Sequence, residues 1–240
     1  MARQTRKQKV TNREKPTTRQ RRKILRPKSR NQENYINRIN KCDVTFCSGP
    51  AGSGKTSISV GMACEYLVEK KVDKIIITRP VVESGRGLGH LPGTLVEKIN
   101  PYLIPILEEM NQYLTKNTVE TYRNRNIIEL CPLEYMRGRN FHNCFMILDE
   151  AQNATFEQIK MFITRIGKDS KAVINGDLRQ SDLGKQQGGL HSCMEKLADV
   201  PGVGVCELDY KDIVRSGIIS KILIRLNDED KDNETVKYFN

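Results

Sequence analysis

A glycine-rich loop between a predicted strand and a predicted helix constrains the fold of this 240-residue chain more than any other feature. The loop reads Gly49-Pro50-Ala51-Gly52-Ser53-Gly54-Lys55-Thr56 and follows Asp43-Val44-Thr45-Phe46-Cys47, an apolar run with the β-branched and aromatic residues typical of a strand. After the loop, Ile58, Met62 and Tyr66 share one face of a helical pattern. Strand, glycine loop and helix in this order are the context that a phosphate-binding loop requires, so the sequence predicts an α/β fold of the P-loop NTPase type.

The residue types in this loop suit it to hold a triphosphate. Gly52 and Gly54 have no Cβ, so the backbone can turn tightly and direct its amides at phosphate oxygens. Lys55 is placed to reach the outer phosphates, and the Thr56 hydroxyl is placed to complete the shell of a Mg²⁺ ion. The residues predicted to contact the nucleotide here are Gly49, Pro50, Ala51, Gly52, Ser53, Gly54, Lys55, Thr56 and Ser57.

Two carboxylates follow a second predicted strand. Cys144-Phe145-Met146-Ile147-Leu148 is apolar throughout, and it ends in Asp149 and Glu150. An aspartate at the tip of a buried strand can hold Mg²⁺ opposite Thr56, and the adjacent glutamate can polarise a water for attack on the terminal phosphate. The sequence therefore predicts Asp149 as a metal ligand and Glu150 as the catalytic base.

Two glutamines complete the predicted nucleotide site. Gln180 follows the apolar strand Lys171-Ala172-Val173-Ile174-Asn175, a position that suits it to detect the terminal phosphate. Gln32 lies on a short amphipathic helix before the loop. Its amide carries a donor and an acceptor that match the paired edge of adenine, although a lone glutamine is also typical of a protein surface.

The net charge of the chain is concentrated at its N-terminus. Residues 1–34 contain 13 of the 40 Lys and Arg and 2 of the 29 Asp and Glu, so the remainder holds 27 of each and is neutral. Residues 1–30 have almost no apolar side chains and are predicted to be a basic, disordered arm. Three roles remain open for this arm: binding RNA or DNA through counterion release, contacting an acidic partner, or keeping the chain soluble.

Composition excludes several classes of protein. No run approaches the ~20 apolar residues that a membrane span needs, and the N-terminus has no apolar signal core. The seven cysteines form no Cys-x-x-Cys pair and mostly lie in apolar runs, which predicts buried thiols in a reducing cytoplasm rather than disulfides or zinc. The organisation predicted is one domain at residues 31–226, with an acidic flexible tail at 227–240.

The ordered set of motifs resembles the PhoH-like ATPase family over roughly residues 32–226. The motifs that carry the resemblance are the glycine loop, Thr78-Arg79-Pro80 with Glu83, Leu91-Pro92-Gly93, Met136-Arg137-Gly138-Arg139, Leu148-Asp149-Glu150-Ala151-Gln152-Asn153, Gly176-Asp177 with Gln180, and Asp212-Ile213-Val214-Arg215. The resemblance implies a RecA-like core related to superfamily 1 helicase motors, ATP hydrolysis with Mg²⁺, and action on RNA. The short form is similar to those of bacteriophages, which would place the protein in the cytoplasm of a host cell.

A single RecA-like domain leaves one side of its nucleotide exposed, and this raises the question of how the site is completed. The family resemblance implies assembly into a ring such as a hexamer, and we predict that Arg215 or Arg165 reaches the terminal phosphate of a neighbouring subunit as an arginine finger. The sequence thus predicts an ATPase that acts with RNA or single-stranded DNA. The alternatives are a P-loop kinase for a small molecule and a nucleotide-binding scaffold without catalysis.

Overall fold

A computed structural model describes residues 23–80, 95–180 and 188–213, with only the backbone described for residues 95–102. Its helices are α1 (Arg30–Lys41), α2 (Lys55–Val68), α3 (Leu95–Tyr113), α4 (Lys116–Asn124), α5 (Phe156–Ile163) and α6 (Gly189–Leu197). Its strands are β1 (Val44–Ser48), β2 (Lys74–Thr78), β3 (Ile128–Leu130), β4 (Cys144–Leu148), β5 (Lys171–Gly176) and β6 (Val203–Glu207). Most of the predicted arm, Arg215 and the predicted tail at 227–240 lie outside the described residues.

The six strands form one sheet in the order β3-β2-β4-β5-β1-β6, and every pairing between neighbours is parallel. In β1 and β4 every residue is buried, as is typical of strands covered by helices on both faces. Because the strands are parallel, their carboxyl ends meet at one edge of the sheet, where ligands of open α/β folds bind. The glycine loop after β1, Asp149 after β4 and Gln180 after β5 therefore lie at the same edge.

Helices cover the sheet on both faces, and a separate apolar core fills each face. One core contains side chains of α1 to α4, including Tyr35, Met62 and Met110. The other contains side chains of α5, α6 and the segment after β3, including Met136 and Phe162. All seven cysteines are buried and unpaired, which confirms that they act as small apolar residues. Within the described ranges, no helix is both long and apolar enough to cross a membrane.

Helix α3 runs through two prolines that the sequence pattern predicted to break or kink a helix over residues 94–115. The helix is continuous from Leu95 to Tyr113 and contains both Pro101 and Pro105, so the predicted break is absent. Leu103, Ile106 and Met110 are buried in the core that α3 shares with α2. This packing offsets the backbone hydrogen bonds that the prolines cannot donate.

The described fold includes the last residues of the predicted arm. Ser29 caps α1 by accepting a hydrogen bond from the Gln32 amide, and Arg30 is the first residue of that helix. The Lys23 amide donates to the Gln112 carbonyl at 3.0 Å, and its ammonium lies 5.0 Å from the centre of the Tyr113 ring. Residues 23–30 therefore belong with the domain rather than with the arm, because α3 and α1 supply their hydrogen-bond partners.

Candidate functional site

The glycine loop is anchored where three neighbouring strands end. The Gly49 amide donates to the Gly176 carbonyl of β5 at 3.2 Å, and the Leu208 amide, just after β6, donates to the Ser48 carbonyl of β1 at 2.8 Å. A Cβ on Gly49 would approach the Leu208 carbonyl oxygen to 2.7 Å, so only glycine fits there. The Lys55 ammonium lies across the loop and donates to the Gly49 carbonyl at 2.5 Å and to the Pro50 carbonyl at 3.0 Å.

The two predicted metal ligands are in direct contact. The Thr56 hydroxyl donates to Asp149 Oδ1 at 2.9 Å, which joins the first turn of α2 to the end of β4. Hydroxyl and carboxylate oxygens are the hard ligands that Mg²⁺ prefers, and Mg²⁺ usually takes one or two carboxylates with water and substrate phosphates as its other ligands. The described residues contain no cluster of three His, Cys, Asp or Glu side chains that would form a metal site by themselves. The pair therefore fits Mg²⁺ of the kind that a bound phosphate helps to hold.

Asp149 is a buried carboxyl whose charge is unfavourable in the protein alone. Its side chain is 4% exposed, and burial, with the nearby charge of Glu150, raises its pKa to about 6. The hydrogen bond from Thr56 and the charges of Arg79 and Lys55 act in the opposite direction but do not offset the burial. A divalent cation beside Asp149 would supply the compensating charge that this carboxylate lacks.

We expect Asp149→Asn to stabilise the fold in the absence of Mg²⁺ and nucleotide. Because the carboxyl pKa is raised from about 3.9 to about 6 on folding, the folded protein binds the proton more tightly, and the free energy of unfolding falls as pH rises from about 4 to about 6. Removing this titration should increase that free energy by up to ~3 kcal/mol at pH 7, a rise in Tm of up to roughly 6–12 °C.

Thermal unfolding of both proteins between pH 4 and pH 7 checks this expectation. The Tm difference should grow as pH rises and level off above pH 6. Asp73→Asn, at an exposed aspartate, is the matched control and should show no such growth. A lower Tm for Asp149→Asn at pH 7 would contradict the expectation.

Glu150 is held by two side chains that the sequence analysis did not assign to the site. Glu150 Oε1 lies 3.3 Å from Arg79 Nη2, and Oε2 accepts a hydrogen bond from Gln152 Nε2 at 2.6 Å. Gln152 in turn accepts a hydrogen bond from the Asp177 amide at 3.0 Å, which connects Glu150 to the segment after β5. Both residues stand in motifs that carry the family resemblance, but no spacing in the sequence indicates which carboxylate they contact.

Gln180 lies at the predicted edge of the sheet. It is exposed, and its amide donates to the Asp177 carbonyl at 3.1 Å in the turn that follows β5. The turn is further held by the Arg179 amide, which donates to Asp177 Oδ1 at 3.0 Å. Gln180 is therefore placed after β5 as its predicted role requires, and detection of the terminal phosphate stays a prediction.

Gln32 and Ser57 both make hydrogen bonds within the protein, and their predicted contacts to a nucleotide stay predictions. Gln32 is only 3% exposed, and its Nε2 donates to the Ser53 carbonyl at 2.8 Å and to the Asp212 carbonyl at 3.4 Å, so adenine recognition requires one of these two bonds to break. The Ser57 hydroxyl donates to Glu109 Oε1 of α3 at 2.6 Å and thus lies in the contact between α2 and α3. The group of Ser57 that remains available to a phosphate is its backbone amide, which lies in the first turn of α2.

A cleft of about 610 Å³ opens beside the phosphate loop. Its walls come from the loop and α2, from the carboxylates after β4, from α3, and from the segment of residues 23–28. Glu109 connects two of these walls, because the same carboxylate that accepts from Ser57 also accepts from the Lys23 ammonium at 3.3 Å. The segment that leads to the basic arm therefore borders the candidate nucleotide site.

Arg165 lies at the opposite edge of the sheet from the phosphate loop of its own chain. It follows α5, and the neighbouring Ile166 pairs with Phe141 just before the strands β4 and β5 begin. Its Nη1 donates to the Arg139 carbonyl at 3.3 Å. Since a five-residue strand spans ~16 Å, Arg165 is separated from its own site and could act only on the site of another subunit. The predicted role of Arg165 as an arginine finger is therefore compatible with the structure only between subunits.

Comparisons with known proteins agree on the family. A family model described as "PhoH-like protein" matches residues 24–226. A PhoH-like protein of Bacillus subtilis is 44% identical over 202 residues, which cover 84% of this chain and 63% of that protein. A PhoH-like protein of Mycobacterium tuberculosis is 43% identical over 84% of this chain and 57% of that protein. The protein PhoH of Escherichia coli is 39% identical over 80% of this chain and 55% of that protein.

The chain thus spans 55 to 63% of the length of these relatives. They are bacterial proteins, so a bacteriophage source stays a prediction. Among solved structures, the large terminase of a thermophilic bacteriophage superposes with a TM-score of 0.55 at 11% identity, covering 83% of this chain and 50% of that one. At this identity the likeness concerns the fold alone, and it confirms the RecA-like P-loop NTPase fold.

Proposed function

This chain belongs to the family of PhoH-like proteins, and on that premise we propose that it hydrolyses ATP with Mg²⁺ while bound to RNA or single-stranded DNA. The fold is that of a P-loop ATPase, and the finer statements rest on the site. The observation that carries the proposal is the hydrogen bond between Thr56 and Asp149, in the cleft that Lys55 and Glu150 also line. These four groups are what a P-loop enzyme needs to bind a triphosphate, hold its metal and activate water.

Each of these residues has a distinct part in the proposed reaction. Lys55 and the loop amides bind the phosphates, while Thr56 and Asp149 would hold Mg²⁺, which neutralises charge that develops on the phosphate oxygens. Glu150 accepts a proton from the attacking water as the new bond to the terminal phosphorus forms and the bond to the bridging oxygen breaks. Arg79 and Gln152 orient the Glu150 carboxylate for this step. The products are ADP and inorganic phosphate.

The basic arm is the proposed contact to nucleic acid. Lys23 is fixed against α3 beside the cleft, so the described part of the chain begins next to the nucleotide site. Nine further Lys and Arg precede Lys23 in the sequence, and a chain this basic binds polyphosphate with little preference for sequence. The proposed assembly is a ring of subunits, because a single RecA-like domain leaves its nucleotide open on one side. The proposed location of this ring is the cytoplasm.

Release of inorganic phosphate from ATP, measured with Mg²⁺ and no acceptor molecule, tests the proposed function. We expect turnover in the absence of nucleic acid and an increase when single-stranded RNA or DNA is added. Lys55→Ala should remove it, because this variant loses the charge that binds the phosphates. Phosphate transfer to an added small molecule, with no release to water, would instead support a kinase.

Deletion of residues 1–22 should weaken nucleic-acid binding and reduce its dependence on salt. Each lost phosphate contact lowers the slope of log affinity against log salt concentration by about 0.9 for duplex DNA and about 0.7 for a single strand. Basal ATP turnover should survive, because residues 23–30 remain to complete the domain. Titration of a labelled 20-nucleotide RNA at several salt concentrations provides the measurement.

The matched control is a longer deletion, of residues 1–30. It removes the contacts of Lys23 with α3 and the Ser29 cap of α1, and should lower Tm as well as nucleic-acid affinity. Unchanged affinity and salt dependence after removal of residues 1–22 would show that the arm serves only solubility.

A further inference from the structure

Gln32 is connected by hydrogen bonds to three separate segments of the chain. Its Nε2 donates to the Ser53 carbonyl at 2.8 Å and to the Asp212 carbonyl at 3.4 Å, and its Oε1 accepts from the Lys28 amide at 2.8 Å. A glutamine amide has two N–H donors, and both are used here. Paired recognition of adenine needs one of them, so Gln32 is committed to the protein itself.

The bond to Ser53 determines how one peptide group of the phosphate loop is oriented. In a planar trans peptide the carbonyl and the following N–H point in opposite directions. Because the Ser53 carbonyl points at Gln32, the Gly54 N–H points away from Gln32. Gly54 is the residue before the first turn of α2, where backbone amides form an anion site. Gln32 thus presets the direction of an amide that a phosphate would contact.

Gly54 and Gln32 are also packed against each other. Gly54 has φ of +98°, and a Cβ at this position would approach Gln32 Nε2 to 2.9 Å. The loop backbone therefore comes as close to the glutamine as a residue without a side chain allows. A fixed contact of this kind holds the loop in its turned conformation and lowers the entropy that phosphate binding must overcome.

Hydrogen bonds of the neighbouring Asn31 also hold the part of α1 that carries Gln32. The Asn31 side chain donates to Asp212 Oδ2 at 2.9 Å, and the same carboxylate oxygen accepts from the Asp209 amide at 2.7 Å. The first turn of α1 is thereby tied to the turn after β6. Gln32 extends this set of hydrogen bonds to the phosphate loop.

From this geometry we infer that Gln32 is a positioning residue of the phosphate loop, which raises affinity for any ligand with a triphosphate and leaves the base unread. The inference rests on the proposed function, because it assumes that the loop binds the phosphates of a nucleotide. It replaces the adenine-reading role predicted from the sequence. It also implies that selectivity between bases, where the protein has any, comes from other walls of the cleft.

Two substitutions remove the hydrogen bond to Ser53 in different ways. Gln32→Glu keeps an acceptor for the Lys28 amide but turns a carboxylate toward the Ser53 carbonyl. Gln32→Met keeps the length of the side chain and suits a buried site, but has no donor. Asn34→Ala, at an exposed position of the same helix, is the matched control. Tm of each protein establishes that the variants compared are folded.

The measurement is the Kd of each protein for three ligands in the presence of Mg²⁺: ATP, GTP and inorganic tripolyphosphate, which has no base. Loss of a hydrogen bond that leaves a buried carbonyl unpaired weakens binding by about tenfold when the loop must be reordered by the ligand. We expect both variants to lose this factor for all three ligands alike, so that the ratio of ATP to GTP affinity stays that of the unmodified protein.

Two results would overturn the inference. Weaker binding of ATP alone, with GTP and tripolyphosphate unchanged, would make Gln32 a base-reading residue. Unchanged affinity for all three ligands in either folded variant would reduce Gln32 to a structural residue of α1. Failure of the unmodified protein to bind any of the three ligands would instead refute the proposed function, and with it the premise of this inference.

Discussion

Glu150→Gln is expected to lower ATP turnover by ~10²-fold or more while ATP still binds. The amide has the size of the carboxylate and can still accept the hydrogen bond from Gln152, so the site keeps its shape. It is far too weak a base to accept a proton from the attacking water. The reaction should therefore stall after binding, with the loss confined to kcat.

Single-turnover phosphate release and nucleotide binding, measured on the same preparation, separate these two effects. Glu120→Gln, at an exposed glutamate of α4 outside the cleft, is the matched control and should keep full turnover. Gln152→Ala should lower kcat to a smaller extent without changing ATP affinity, because Glu150 then loses one of its two supports. Near-normal hydrolysis by Glu150→Gln would remove this residue from the mechanism.

The second large effect concerns the arginine finger. An arginine that stabilises the charge developing on the transferred phosphate contributes ~10³–10⁵ to the rate, and P-loop enzymes take it from their own chain or from a neighbour. Arg165 and Arg215 are the two candidates. Arg215 lies outside the described residues, while Arg165 stands at the edge of the sheet away from its own loop. We expect substitution of at least one of them by alanine to lower turnover by ~10³-fold.

Mixing experiments show whether the arginine acts between subunits. Lys55→Ala, which keeps both arginines, is mixed with the inactive arginine variant, which keeps Lys55. At equal amounts, roughly a quarter of the sites combine an intact lysine with an intact arginine from the neighbour, so turnover should recover to about that fraction. Arg125→Ala, at an exposed arginine that directly follows α4 and lies outside the motifs that carry the family resemblance, should retain full activity as the control. A fully active monomer, established by mass at the assay concentration, would contradict the prediction.

Much of the fold and the centre of the site can be derived from the sequence, because the relevant signals are local. Strand β4 begins and ends where its apolar run predicts, β5 extends one residue further, and β1 lies one residue later than predicted. One apolar run is followed directly by Asp149 and another by the glycine loop, so the sequence already places both features at the carboxyl ends of strands. A parallel sheet then brings the ends of such strands to one edge, so Thr56 and Asp149 were correctly predicted to face each other.

The tertiary structure decides which partners the polar side chains take. Gln32 binds Ser53, Glu150 is held by Arg79 and Gln152, and Ser57 contacts α3 through Glu109. Sequence alone also does not place β1 between β5 and β6, and it is this order that surrounds the phosphate loop with the ends of both strands.

The physical reason for this division is the range of each interaction. Strand and helix signals arise from neighbouring residues, whose spacing along the chain is also their spacing in the fold. A hydrogen bond from a buried amide is selected by which acceptors the packed chain brings within about 3 Å, and for Gln32 these lie 21 and 180 positions away. The sequence by itself therefore determined the strand, glycine loop and helix that a phosphate-binding loop requires, whereas the packing of distant segments decided which residues hold that loop in shape.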